Sequence, residues 1–171
     1  MLSLLKNQLL VPICKVVLAK AIYLNQLAAP GDLLMVDEPE LNLHPENQRR
    51  VARLFSRLVN VGVKVFITTH SDYIIKELNT LIMLNQGGKR LSEIAEREGY
   101  RKEELLKADK VSVFIAKEEL IKLDSLKKKT YCQTLVPAAI DAKMGIEASS
   151  FDKTIEEMNR IQEEIVWGDD E

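Results

Sequence analysis

The chain has 171 residues, enough for one domain or for one and a fraction, and it could bury about two thirds of the surface exposed by its unfolded form. Its 24 basic and 26 acidic residues give a net charge of -2, so the whole chain has no strong attraction for nucleic acid. Cys14 and Cys132 lack metal-ligand spacing and are interpreted as two thiols in a reducing cytoplasm, with a disulfide between them as the open alternative.

The first predicted element is a buried helix from about Pro12 to Ala28, in which apolar residues recur at helical spacing. Lys15 and Lys20 interrupt the apolar stretch, and each would cost roughly 2.5 to 3.5 kcal/mol at a bilayer centre. The stretch also lacks the basic start, apolar core and cleavage site of an export signal, in that order. We therefore expect no membrane segment and a cytoplasmic protein.

Two β-rich runs separated by a helix form the centre of the predicted fold. The first run, Leu33 to Asp37, leads into Glu38, and the second, Val63 to Thr68, leads into His70. The helix between them begins at Pro45, a residue that suits the first helical position, and ends at about Asn60. Such apolar runs suit strands that are buried on both faces of a parallel sheet.

The pattern after His70 predicts further alternation of helices and strands. A short helix to about Leu78 is followed by a third strand at Leu81–Leu84, and later segments continue the alternation. The later predicted elements are helices at 91–98 and 101–108, strands at 111–115 and 130–136, which can pair antiparallel, and a helix from Ser149. This order predicts an α/β fold with a mainly parallel sheet.

The residues at the ends of the two central strands carry the candidate chemistry. Asp37 can hold Mg²⁺ through oxygen ligands and its water shell. Glu38 can orient and polarise the water that attacks a terminal phosphate, and His70 can hydrogen-bond that phosphate and sense its loss. In the alternative interpretation, Asp37 and Glu38 cap the next turn and His70 is an ordinary strand-end residue. The three features together favour a nucleotide site.

The sequence from Leu33 to Pro45, followed by Ile67 to Asp72, resembles a known group of ATPases. These stretches resemble the Walker B, D-loop-like and switch-histidine regions of ATP-binding-cassette-type (ABC-type) AAA ATPases. The resemblance is to RecF, SMC and overcoming-lysogenisation-defect proteins, including the ATPases of antiphage systems such as Septu and certain retrons. It is strongest from about Leu27 to Leu84 and weaker towards the end of the chain.

The resemblance implies ATP and Mg²⁺ as cofactors and assigns a role to each candidate residue. Asp37 would serve the metal, Glu38 would be the catalytic base, and His70 would contact the γ-phosphate. Leu41 to His44 would lie at a dimer interface. Residues 1–86 would form a partial P-loop NTPase-like core, and residues 87–171 a smaller α+β extension packed on it.

One motif of the family is missing from this sequence. Phosphate binding in such proteins uses Gly-x-x-x-x-Gly-Lys-Ser/Thr, and Gly87-Gly88-Lys89 has neither that spacing nor the hydroxyl. The chain therefore resembles the C-terminal half of an ATPase without its Walker A half. We expect no ATP turnover by the isolated chain. We also expect a gap, a solvent-filled groove or a distorted local pairing between the strands at 63–68 and 81–84, where the Walker A strand would lie.

The leading hypothesis is an ATPase half that hydrolyses ATP when another polypeptide supplies the phosphate loop. The expected partner is a second copy or the polypeptide with the missing half, and the resemblance adds a nuclease partner and an antiphage role. The rival hypothesis is a truncated, non-catalytic interaction or dimerisation module. A DNA contact through the arginines of the 45–60 helix is weighed against a solvated helix face, which is preferred. These arginines are Arg49, Arg50, Arg53 and Arg57.

Overall fold

The computed structural model describes residues 29–121, 129–146 and 149–167. The predicted helix from Pro12 to Ala28 lies outside these residues. The described residues form two compact units, one with residues 29–77 and 100–105, the other with 78–99 and the residues from 106 onward. The predicted boundary between residues 86 and 87 stays a prediction. No helix in these described ranges is long and apolar enough to cross a membrane.

Strand β1 (Leu33–Asp37), helix α1 (Pro45–Asn60) and strand β2 (Lys64–Thr68) form the centre of the first unit. The two strands pair in parallel, and Asp37 lies opposite Thr68 at their carboxyl ends. A parallel pair needs a long crossover connection, which α1 supplies. The predicted parallel arrangement is confirmed for this pair, although the sheet has only two strands in the part of the chain that is described.

Helix α1 covers one face of the small sheet. Phe55 and Leu58 form a buried cluster with Val63, and the cluster packs against the partly buried strand residues Leu34, Val36, Val65 and Ile67. Side chains alternate between the faces of a strand, so Leu33, Met35 and Phe66 lie on the opposite face, where each is more than half exposed. The predicted burial on both faces is therefore not found within the described residues.

Helix α2 (Asp72–Leu84) is longer than predicted and includes the segment expected to form a third strand. Its buried apolar residues recur at helical spacing, namely Ile74, Ile75, Leu78, Leu81 and Ile82. The predicted strand at Leu81–Leu84 is wrong, because this apolar run continues the helical spacing begun at Ile74. The gap predicted between β2 and that strand therefore has no basis, because residues 81–84 do not form a strand.

The predicted helix at 101–108 is also wrong. This segment contains a 3₁₀ turn at Lys102–Glu104, and another follows at Ala108–Lys110. Side chains of α1 bind the carbonyl oxygens that a continuous helix would use. Ser56 Oγ donates to Glu104 O at 2.5 Å, and Asn60 Nδ2 donates to Glu103 O at 3.0 Å. Asn60 Nδ2 also donates to Leu105 O at 2.8 Å. These bonds replace the helical ones and tie residues 103–105 to α1.

The second unit contains antiparallel strand pairs and two further helices. Strand β3 (Phe114–Ile121) pairs antiparallel with β4 (Thr130–Pro137), which confirms the antiparallel option. Strand β3 begins three residues after the predicted start at Val111, because the Val111 amide still closes the preceding 3₁₀ turn by donating to Ala108 O at 3.2 Å. The other elements are α3 (Lys89–Arg97), β5 (Ile140–Asp141), β6 (Gly145–Ile146) and α4 (Ser149–Trp167).

Candidate functional site

The carboxyl ends of β1 and β2 bring Asp37 and Thr68 into contact. The two residues are register partners, and Thr68 Oγ1 donates a hydrogen bond to Asp37 Oδ1. Adjacent parallel strands end at the same edge of a sheet, which is why residues 31 positions apart meet here. Asp37 is otherwise exposed, so its carboxylate remains accessible to water or an ion.

Glu38 and His70, which follow the two strand ends, also approach each other. His70 Nε2 lies 3.3 Å from Glu38 Oε1. The His70 side chain is 84% exposed and that of Glu38 is 34% exposed, so a ligand in solution can reach both groups. The structure therefore brings the three predicted site residues to one open edge of the sheet, with Asp37 and Glu38 adjacent in the chain.

The backbone at Glu38 has an unusual conformation. Its φ angle is 42°, in the left-handed region that costs a residue other than glycine roughly 1–2 kcal/mol. Glu38 N donates to the carbonyl oxygen of Thr68 at 3.1 Å and to its hydroxyl oxygen at 3.2 Å. The end of β2 thus holds Glu38 in this strained turn, beyond the last paired residue of β1.

Glu40 contacts the segment after β2, a connection that sequence reasoning missed. Its Oε1 accepts hydrogen bonds from Thr69 Oγ1 at 2.8 Å and from His70 N at 2.6 Å. Its Oε2 is buried without a hydrogen-bond partner among the described residues. The only sequence signal was a further carboxylate just beyond Glu38, which does not identify a partner. We call Asp37, Glu38, Glu40, Thr68, Thr69 and His70 the strand-end cluster.

A second connection between the two loops runs through Gln48, which sequence reasoning also missed. Gln48 Nε2 donates to Leu43 O at 2.9 Å, and Ser71 Oγ donates to Gln48 Oε1. Ser71 Oγ also accepts from Ile74 N at 3.2 Å, so Ser71 caps the start of α2. The loop after β1 and the segment after β2 are therefore joined on two sides.

Asp37 is the predicted metal ligand at this edge of the sheet. Among the residues that the structure describes, no group of three or more His, Cys, Asp or Glu side chains could hold a metal ion. Mg²⁺ is commonly bound in proteins by one or two carboxylates, several waters and the phosphates of a substrate. An exposed Asp37 with one oxygen fixed by Thr68 fits that mode, in which phosphate oxygens complete the coordination.

The arginines of α1 form ion pairs, and the predicted solvated helix face is confirmed for the exposed Arg49 and Arg50 but is wrong for Arg53, whose side chain is 21% exposed. Arg49 and Arg53 each lie 2.6 Å from a carboxylate oxygen of Glu77, whose side chain is 2% exposed. The guanidinium of Arg53 also lies 4.0 Å from the centre of the Tyr100 ring. A buried carboxylate needs such partners. Arg49 and Arg53 therefore both bind a carboxylate inside the protein, which does not favour the alternative that they contact DNA.

Arg57 makes the equivalent contact with Glu104, whereas Arg50 pairs with the exposed Glu46. Burial raises the pKa of Glu104, but hydrogen bonds from Arg101 N and the Arg57 guanidinium outweigh burial and hold that pKa below its ordinary value. Glu104 is therefore kept ionised. The arginine–glutamate cluster consists of Arg49, Arg53, Arg57, Glu77 and Glu104.

The AAA ATPase domain family matches residues 15–75, which include the strand-end cluster. The segment resembles the energy-coupling factor transporter ATP-binding protein EcfA of Carboxydothermus hydrogenoformans, with 32% identity over 62 residues, 36% of this chain and 23% of that protein. It also resembles EcfA2 of Mycoplasma mobile, with 34% identity over 62 residues, 36% of this chain and 20% of that protein.

The match spans less than a quarter of the length of these curated relatives. No solved structure gives a significant match to the chain. Residues 15–75 thus match the AAA ATPase domain family, and their weak similarity to transporter ATP-binding proteins supports an ATPase-type function.

Proposed function

We propose that this chain contributes the hydrolytic part of an ABC-type ATPase site, and that residues outside this sequence supply the phosphate-binding loop. The observation that carries the proposal is the 3.3 Å approach of His70 Nε2 to Glu38 Oε1. This contact lies beside Asp37 at the exposed edge of a parallel strand pair. The family match over residues 15–75 supports the same class of chemistry.

In this proposal Asp37 holds Mg²⁺ at the end of β1. The Thr68 hydroxyl donates to one carboxylate oxygen and so limits the orientations of the Asp37 side chain. Bound Mg²⁺ would neutralise charge on the phosphates of ATP. Asp37 remains exposed enough to bind the ion through a direct bond or through its water shell.

Glu38 acts in the proposal as the base that orients the attacking water and accepts its proton. A carboxylate in this role has to be within hydrogen-bond reach of the water, and the partly exposed Glu38 side chain gives water access. His70 Nε2 faces the Glu38 carboxylate, and the same nitrogen can instead contact a terminal phosphate oxygen. The imidazole can therefore respond to the presence and loss of that phosphate.

The charges of the strand-end cluster explain why an outside phosphate loop is part of the proposal. Asp37, Glu38 and Glu40 place three carboxylates within four residues, and they repel the phosphates of ATP unless cations neutralise them. The sequence has no Gly-x-x-x-x-Gly-Lys-Ser/Thr motif to provide backbone amides and a lysine. We therefore expect the chain alone to bind ATP poorly and not to hydrolyse it.

A direct test combines the full 171-residue chain with the polypeptide encoded immediately upstream of it. We expect Mg²⁺-dependent ATP hydrolysis by the mixture and none by the chain alone. Glu38→Gln should lower the hydrolysis rate by about 10²- to 10⁴-fold, because it removes the proton acceptor. The matched control is Glu46→Gln, which changes an exposed carboxylate on α1 that pairs with Arg50 and should leave hydrolysis unchanged.

Two results would contradict the proposal. One is ATP hydrolysis by the isolated chain that Glu38→Gln abolishes, because the outside loop would then be unnecessary. The other is hydrolysis by the mixture that survives Glu38→Gln. The rival hypothesis, a non-catalytic interaction module, predicts a stable complex with the upstream polypeptide that never hydrolyses ATP.

The proposal includes a homodimer that uses the Leu41 to His44 loop. Leu41 is 61% exposed and follows Glu40 directly, so a second copy that binds there would lie close to the strand-end cluster. Leu41→Asp should shift sedimentation towards the monomer, because a charge replaces an exposed apolar contact. An unchanged sedimentation profile would place any dimer contact elsewhere.

A nuclease partner and an antiphage role are proposed on the family resemblance alone. The test expresses the chain together with the proteins encoded beside it and counts phage plaques. We expect protection that Glu38→Gln abolishes, because the role requires hydrolysis. Equal plaque counts with and without these proteins would remove the defence role and leave the ATPase proposal intact.

A further inference from the structure

We propose that Glu40 is a positioning residue that holds His70 in place, an inference that rests on the proposed function of His70. A single oxygen, Oε1, accepts from the backbone amide of His70 at 2.6 Å and from the hydroxyl of Thr69 at 2.8 Å. Nothing in the family resemblance assigns Glu40 a role. The contact joins the loop after β1 to the residue whose imidazole faces Glu38.

The chemistry of these two bonds suits a positioning role. A hydrogen bond from an amide to a carboxylate is charge-assisted and stronger than one between neutral groups. Because Glu40 holds two successive residues, the backbone at His70 is restrained and the imidazole can move only through its side-chain torsions. Thr69 Oγ1 in turn accepts from Ser71 N at 3.0 Å, so the restraint extends to the residue that precedes α2.

Glu40 is itself anchored, as a positioning residue has to be. Leu43 N donates to Glu40 O at 2.9 Å, and the Leu43 carbonyl accepts from Gln48 of α1 at 2.9 Å. Pro39, which is buried, precedes Glu40 and restricts the backbone further. The carboxylate that binds His70 is thus attached to the rigid helix α1 through a short series of hydrogen bonds.

The first test measures hydrogen exchange at the His70 backbone amide in the full ¹⁵N-labelled chain, without nucleotide. Glu40→Ala removes the acceptor, and we expect about tenfold faster exchange at this amide. Glu40→Gln keeps an oxygen acceptor without the charge, so its effect should be smaller. Glu46→Ala is the matched control on an exposed carboxylate and should not change exchange at His70.

The two histidines of the chain provide an internal comparison in the same samples. In Glu40→Ala we expect the ring signals of His70 to move, whereas those of His44, which caps α1, should stay in place. Unchanged exchange and unchanged ring signals at His70 in a folded Glu40→Ala chain would overturn the proposal. If the alanine variant does not fold, Glu40→Gln provides the test. Because its amide oxygen is a weaker acceptor than the carboxylate, the NMR signal of the His70 amide proton should move upfield. An unmoved amide signal would reject the role.

The second test separates this inference from the proposed ATPase function. In the mixture with the upstream polypeptide, Glu40→Ala should lower kcat about tenfold with KM within about twofold, and Glu40→Gln should restore most of kcat. Hydrolysis that requires Glu38 but is unaffected by Glu40→Ala would overturn the positioning role. Absence of hydrolysis in the parent mixture, together with the expected exchange result, would reject the ATPase function and leave Glu40 as the residue that holds His70.

Discussion

The strand-end cluster and the arginine–glutamate cluster both lie in the first unit, but water reaches them differently. The side chains of Glu77 and Glu104 are 2% and 3% exposed, and guanidinium groups bind both. In the strand-end cluster, the His70 side chain is 84% exposed and its contact with Glu38 is longer, at 3.3 Å. Buried, paired charges such as Glu77 and Glu104 hold elements together, whereas the exposed and loosely paired Glu38 and His70 remain available to a ligand.

This difference teaches that residue type alone does not indicate a binding surface. The arginines of α1 suggested a cationic face, yet Arg49 and Arg53 share one buried carboxylate. A turn-capping role was the alternative interpretation for Glu38 and for Asp37, the last residue of β1, yet both side chains remain accessible to solvent. The following variants test whether the arginine–glutamate cluster acts in stability and the strand-end cluster in chemistry.

The largest effect on stability is expected from Glu77→Ala. This change leaves Arg49 and Arg53 without their shared partner, and removal of one member of a buried pair costs about 3–5 kcal/mol. We expect a loss of about 3 kcal/mol in the free energy of unfolding, because both guanidiniums keep some contact with water. Urea denaturation measures it. The control Glu46→Ala removes an exposed pair and should cost less than about 0.5 kcal/mol. Equal losses would remove the distinction between the clusters.

A smaller and pH-dependent effect is expected from Glu104→Gln. Near neutral pH the variant should lose about 2 kcal/mol, the range of a hydrogen bond to a charged group. The folded-state pKa of Glu104 is lowered from 4.5, so its ionised form contributes stability above that value and loses the contribution as pH falls through the lowered pKa. Urea denaturation of both chains should show their difference shrinking below about pH 4.5. A constant difference would contradict this assignment.

The smallest effect on stability is expected at the strand-end cluster, from Thr68→Val. The variant removes the hydroxyl that donates to Asp37 and accepts from Glu38 N, but Glu38 N keeps the Thr68 carbonyl as an acceptor. We expect a loss of about 1 kcal/mol in thermal or urea unfolding. Thr68→Ser, which retains the hydroxyl, is the control and should lose less. A loss as large as that of Glu77→Ala would show that this cluster is a structural element.

The fold was predictable where a local pattern has one interpretation. Pro45 and the apolar spacing after it predicted α1, and the two β-rich runs predicted a parallel pair with their ends at one edge. The segment Leu81–Leu84 was mistaken for a strand because a short apolar run suits either element. Leu81 and Ile82 continue the helical spacing of apolar residues that begins at Ile74. This spacing can be recognised only when the whole of α2 is considered.

The sequence predicted only those site residues that stand at the ends of the two strands. The position of Asp37, Glu38 and His70 after two parallel strands accounts for their proximity. The partners of Glu40 lie 29 and 30 residues away, and no motif connects them. The contact depends on a turn in which both Glu38 and Asn42 have positive φ angles. Such turns follow from tertiary hydrogen bonds, which local propensity does not encode.

The left-handed backbone at Glu38 has a consequence for how easily this chemistry could be lost. Glycine adopts that φ angle freely, so Glu38→Gly would relieve about 1–2 kcal/mol of backbone strain in the folded state. This gain offsets the roughly 0.5–1 kcal/mol that the greater entropy of glycine in the unfolded chain costs. We expect Glu38→Gly to unfold within about 1 kcal/mol of the parent while it removes the proposed base. A single substitution can therefore remove the proposed base with little change in stability. Stability alone thus does not explain why a glutamate stands at this position.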